Sequence, residues 1–232
     1  MIQITGNWRS SHPGGAVGLL SIEIDRSQAQ KPDLDRERLT LENQLREQFQ
    51  GVPRAEIRQL THMQDYTQYF KRFKKSYHVL LQLDSICNKS RSIPHSDALV
   101  QAMFMAEMKS FILTAGHDLD QTQGTINLDS SQGDEVYKIL RGDQVTCKAG
   151  DMLMADSQAV ICSVIYGQDQ RTLITQHTAI VLYVMYVPPG IDQGDIGKHI
   201  LDLEENVLIA FPRSESKLRQ IILADAHTPV TV

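Results

Sequence analysis

The texture of the chain changes at Gly116, and that change constrains the fold more than any motif does. Before it, apolar residues recur at helical spacing. After it come the short β-type runs "GTINL", "EVYKIL", "QVTC", "DMLMA", "AVICSVIY" and "AIVLYVMYV". Gly133-Asp134, Gly142-Asp143, Gly150-Asp151 and Gly167 separate these runs, and such pairs take the backbone conformations of tight hairpin turns. Pro188-Pro189-Gly190 closes the β-rich stretch.

The first half supplies the helices. Residues 17–24 read as an early strand, with partial alternation. Residues 33–48 are charged and amphipathic, with Leu34, Leu41, Leu45 and Phe49 close to helical spacing, and Gly51-Val52-Pro53 ends them. A helix over 63–73 carries Tyr66, Tyr69, Phe70 and Phe73 as a core stripe, and 79–87 reads as a short helix. Residues 97–113 are apolar almost all round, the pattern of a buried central helix. A last helix over 196–210 and a polar tail follow. The order is helices, strands, helix, with one early strand: an α+β fold, read as a single unit over 1–232.

The chain has 232 residues, 41% hydrophobic and 22% charged, which is enough to bury a sizeable core. The longest apolar run, 179–187, is far short of the roughly 20 residues a membrane span needs. The first residues, "MIQITGNWRSS", lack a signal-peptide pattern. A cytoplasmic protein without membrane partners is the expectation. Cys87, Cys147 and Cys162 are widely spaced and odd in number, so buried reduced thiols are expected rather than a disulfide framework.

The net charge of −5 argues against a surface that grips nucleic acid throughout, and DNA is not expected as a partner. The charge is uneven, however. Residues 1–75 hold 12 Lys and Arg against 9 Asp and Glu, while residues 76–232 hold 11 against 19. The basic side includes Lys71, Arg72, Lys74 and Lys75, a footprint that fits one end of an RNA or a solvated helix face. Oligomeric state is not legible.

No standard catalytic signature occurs: there is no GxSxG, P-loop, HExxH or GxGxxG. His117, Asp118 and Asp120 lie close in sequence, but neighbours on an extended chain point to opposite faces, so neither a metal nor another cofactor is expected. Thr175, Gln176, His177 and Thr178 stand at the mouth of an apolar strand, where they can orient a water or cap a loop.

One ordered series goes further. Asp118-Leu119-Asp120, Gly124, Gly133-Asp134, Leu140-Arg141-Gly142, Ala155-Asp156 and Thr178 follow one another across the β-rich half. The series resembles the tRNA-editing (B3/B4) domain of the phenylalanyl-tRNA synthetase beta subunit, and most of all free-standing proteins made of that domain. The similarity covers roughly 60–190.

The resemblance implies helices packed on a mixed or antiparallel sheet. It also implies a cleft that binds the aminoacylated acceptor end of a tRNA and hydrolyses a wrongly attached amino acid. Hydrolysis of an activated ester needs a positioned water, oxyanion donors and a shaped pocket, and no triad or metal. Carried over residue by residue, the resemblance assigns Thr178, His177 and Asp156 to catalysis. Gln144, Gly124, Gly142, Tyr166, Gly167 and His117 fall to substrate binding, and Lys71, Arg72, Lys74 and Lys75 to tRNA. The chain departs from the family at three points. The family histidine falls on Ala115, with His117 displaced by two; the glutamate after the Leu-x-Gly turn falls on Gln144; and the paired glycines become Tyr166-Gly167. Nothing resembles an ATP-binding aminoacylation domain. The alternative is a non-catalytic module that binds tRNA or protein.

Overall fold

A computed structural model describes residues 2–226 and 228–232; Met1 and His227 lie outside the described residues. The chain opens with β1 (Ile2–Ile4) and α1 (Gly6–Ser11), which lead into β2 (Ala16–Glu23). Five helices follow: α2 (Lys31–Phe49), α3 (Arg54–Ile57), α4 (Thr61–Arg72), α5 (His78–Lys89) and α6 (Ala98–Ser110). The β-rich half contains β3 (Thr114–Asp118), β4 (Ile126–Ser130), β5 (Val136–Lys138), β6 (Gln144–Thr146), β7 (Met152–Ala155), β8 (Val160–Ser163), β9 (Gly167–Gln168) and β10 (Ile180–Val187). The chain finishes with α7 (Gln193–Ala210), β11 (Glu215–Leu223) and β12 (Val230–Thr231).

Three layers result. The main sheet is antiparallel throughout, in the order β12-β11-β2-β10-β3. A second sheet, β1-β4-β7-β8-β9, is mixed, because β1 runs parallel to β4. A β5-β6 hairpin stands beside it. Seven of the eight residues of β10 are buried, so it shows no inside-outside alternation. Its two faces meet different layers. The Tyr183 hydroxyl donates to Leu99 O of α6 at 3.0 Å, while Leu182 shares a cavity with Ile2, Ile4 and Ile126 of the second sheet. The fold is thus α+β, with helices packed on antiparallel and mixed sheets.

Two expectations need correction. The stretch after α7 is no polar tail. Glu215–Leu223 pairs with β2 over its whole length and forms an inner strand of the main sheet. Its charges are matched by partners distant in sequence: Arg219 forms a fork on Glu204 at 2.6 and 2.7 Å, and Lys217 bridges Glu23 and Glu215 at 2.8 and 2.9 Å. The helix over 97–113 stops at Ser110, because Phe111 adopts a left-handed conformation (φ 61°) and turns the chain into β3. Among the described residues no helix is long and apolar enough to cross a membrane. All three cysteines are buried and free.

Candidate functional site

The turn from α6 into β3 builds the floor of a polar cleft. Glu107 lies one turn before the end of α6 and is 1% exposed. Its Oε2 accepts the backbone N–H of Thr114 at 3.1 Å, which fixes the carboxyl against the first residue of β3. Behind it, the Tyr66 hydroxyl accepts Leu113 N–H at 3.0 Å and donates to Tyr186 O at 2.8 Å, clamping α4 to the same corner. The Tyr66 and Tyr77 rings stack at 4.5 Å and close the corner to solvent.

Above this floor lies a cavity of about 510 Å³. One wall is His78 and Gln82 of α5; the other is the β8–β9 hairpin, with Cys162, Ser163, Tyr166 and Gly167. Gly167 holds φ +85° at the hairpin end, a conformation that strains any L side chain. Arg141 stands at the mouth, and an apolar annex of about 300 Å³ opens past His78, Gln82 and Phe104.

Two buried polar atoms of lining residues, Glu107 Oε1 and Gln82 Oε1, have no hydrogen-bond partner among the described residues, while the Tyr186 hydroxyl meets the Cys162 thiol. Buried polar groups are almost always paired, so two unpartnered oxygens on residues of one cavity make it the candidate site. Burial sets the charges. It pushes the Glu107 carboxyl up to about 8, pulls the His78 imidazole down to about 4 and pushes the Cys162 thiol up to about 12. At neutral pH these shifts favour the uncharged form of all three. Cys162 is therefore a protonated thiol and no nucleophile. The Ser163 hydroxyl accepts from Tyr166 N–H at 3.1 Å and supports the buried Asp151 carboxyl, with no imidazole beside it.

A second cavity, about 560 Å³, lies between the two sheets. Its two cations are occupied: Arg9 binds the carbonyls of Leu223, Ala224 and Ala226, and Lys217 its two glutamates. No orphaned polar side-chain atom among the described residues lines it.

The residues singled out from sequence divide between these places. Tyr166 and Gly167 line the first cleft, Gly142 forms the turn beside Arg141, and Gly124 lines the second cavity. Gln144 is exposed on β6, opposite Lys138. His177 is exposed on the loop before β10. Thr178 is buried: its hydroxyl donates to Asp118 Oδ2 at 2.8 Å and accepts Thr175 N–H at 2.9 Å. Asp156 accepts N–H groups of Gln123, Gln158 and Ala159 and pairs with Arg171 at 2.9 Å. Burial works against its ionisation, yet those donors and the guanidinium hold its carboxyl below the ordinary range. His117 is fully buried on Thr172 at 2.8 Å, pulled down to about 3 by burial and by Arg171. Thr178, Asp156, His117, His177, Gln144 and Gly124 thus do not line the first cleft. Among the described residues no group of His, Cys, Asp and Glu side chains is arranged to hold a metal ion.

The basic cluster reaches the cleft through Lys75. The Lys75 ammonium lies 5.5 Å from the centroid of Tyr166, and the Arg72 guanidinium lies 5.4 Å from the rings of both Tyr69 and Phe73. All four side chains are exposed, and none forms an ion pair among the described residues.

No family model and no curated protein matches the chain. A solved structure does. It is the crystal structure of an N-terminal fragment of the phenylalanyl-tRNA synthetase beta subunit from Pyrococcus horikoshii, at a TM-score of 0.56 and 10% identity. The likeness is one of fold. It covers 100% of this chain and 54% of that one, so the chain spans about half the length of the fragment.

Sequence reasoning missed Glu107, Gln82 and the Tyr186 hydroxyl. Glu107 did leave a signal, a lone acidic residue within "ALVQAMFMAEM", since carboxylates are almost never fully buried without a purpose or a partner.

Proposed function

We propose that the cleft receives the aminoacylated end of a tRNA and hydrolyses a wrongly attached amino acid, in the manner of a free-standing B3/B4 editing domain. One observation carries this reading: the exposed cation Lys75 sits 5.5 Å from the ring centroid of Tyr166 in a cleft whose lining residues hold unpartnered oxygens, with Lys71, Arg72 and Lys74 beside it in the chain. Phosphates bind such exposed cations, and an aminoacyl group suits the enclosed chamber behind them. The fold likeness to a synthetase beta-subunit fragment and the ordered series of motifs point the same way. Hydrolysis rests on a water held by cleft oxygens and on backbone donors, because the lining hydroxyl that meets an imidazole, Thr114 on His199 Nε2 at 2.8 Å, is buried.

That last feature also favours a second reading, a module that binds tRNA or protein without chemistry. Deacylation assays over a panel of mischarged tRNAs separate the two. Release of at least one amino acid at a rate proportional to protein supports the enzyme; binding of tRNA with no release from any member supports the module.

Replacing Lys71, Arg72, Lys74 and Lys75 together with glutamate should weaken tRNA binding and lower the slope of log affinity against log salt by up to about 3 to 4, since each phosphate contact contributes about 0.7 to 0.9. An unchanged slope in filter-binding titrations would return the cluster to a solvated helix face.

A further inference from the structure

We infer that Glu107 is the counter-ion for a primary ammonium on the ligand, so that the cleft selects aminoacyl groups whose α-amine is free; this rests on reading the cleft as an aminoacyl site. The geometry is that of a receptor lacking its donor. Glu107 Oε2 is held by Thr114 N–H, while Oε1 is buried with no partner among the described residues, and Glu107 belongs to the lining of the cavity. Gln82 Oε1 adds a second orphaned oxygen on a residue of the same lining. An ammonium brings three N–H donors and no acceptor, which suits a chamber of oxygens; a hydroxyl brings one donor. An anionic ligand head has no match there, since the only cation in the lining is Arg141, at the mouth.

The groups facing Glu107 leave it free to play this part. Tyr66 of α4 and Tyr77 before α5 keep their protons, raised well above the ordinary range by burial. His78 of α5 and His199 of α7, which reaches the corner through the Thr114 hydroxyl at 2.8 Å, are pulled by burial to about 4 and about 3 and stay neutral. Cys162 of β8 stays a thiol, and Tyr186 of β10 keeps its proton. Glu107 is thus the group in the chamber that can change charge near neutral pH. In the empty cleft it carries a proton. When an ammonium enters, the carboxyl ionises, the proton leaves to solvent, and an ion pair forms in a low-dielectric chamber where it is strong.

The test uses the whole protein and stable probes, L-leucinamide and L-phenylalaninamide, each against its N-acetyl form. Calorimetric titrations at about pH 6.5, where an α-ammonium of pKa about 8 is charged, are run in buffers of different ionisation enthalpy. The wild type should bind at least one free amide and release close to one proton per ligand. The N-acetyl forms should bind at least about tenfold more weakly. The Glu107→Gln variant should release no proton and lose that preference. Failure of both free amides to bind, equal binding of the acetylated forms, or binding without proton release overturns the assignment, and the wild-type data decide even if the variant folds poorly. The two proposals fail separately. Amide binding with proton release but no deacylation of any tRNA removes the enzyme reading alone. Equal deacylation of free and N-acetylated aminoacyl-tRNA removes this inference alone.

Discussion

Replacing Glu107 with glutamine should stabilise the protein far more at about pH 8 than at about pH 5, with a difference on the order of 4 kcal/mol. Burial raises the carboxyl from 4.5 to about 8 in the folded state. Between those values the folded chain holds a proton that the unfolded chain has released. The contribution of this group is therefore fully present below pH 4.5 and is lost as pH rises through the window, at up to about 1.4 kcal/mol per pH unit. Glutamine keeps an oxygen for Thr114 N–H and has no proton to lose, so its curve lacks that decline. Other groups shape both curves alike. Asp151, raised by burial to about 6, acts in the same direction between 3.8 and 6. His78, His117 and His199, lowered by burial, act in the opposite direction below 6.5. The difference between variant and wild type isolates Glu107. Urea unfolding at several pH values measures it, and parallel curves for the two proteins would remove the buried, protonated carboxyl from the account.

Thr178→Val should cost on the order of 3 kcal/mol of stability, because it removes one hydroxyl that satisfies two buried groups. The donor to Asp118 Oδ2 disappears and leaves a carboxyl that is 4% exposed short of a partner. The acceptor for Thr175 N–H disappears with it, and the turn into β10 loosens. The sequence resemblance put this hydroxyl at the chemistry; the geometry gives it a structural duty. Thr178→Ser keeps the hydroxyl and should stay within about 1 kcal/mol of wild type. Unfolding midpoints in urea, measured beside deacylation rates, separate the two duties. A valine variant as stable as wild type but inactive would return Thr178 to catalysis.

The elements that could be read from sequence are those whose signals are local. The apolar periodicity of α6 and the aromatic stripe of α4 each lie within one helix. Gly133, Gly142, Gly150 and Gly167 all have positive φ, and each was legible as a turn because the demand for glycine is set by its own backbone. β11 was not legible, since "ESKLRQ" becomes a strand only when Glu23 and Glu204, far off in sequence, neutralise its cations. The site depends still more on distant partners. Whether the Thr178 hydroxyl is free is decided by Asp118, sixty residues earlier, and whether Glu107 meets a cavity is decided by the β8–β9 hairpin that lines the same cleft. Sequence by itself determined an α+β chain with a buried, apolar α6 and a basic cluster at 71–75. Only the tertiary structure decided that Lys75 of this cluster meets Tyr166 of the cleft and that the one carboxyl of α6 lines it, because burial and hydrogen-bond satisfaction are properties of what packs around a side chain and not of the residues beside it in the chain.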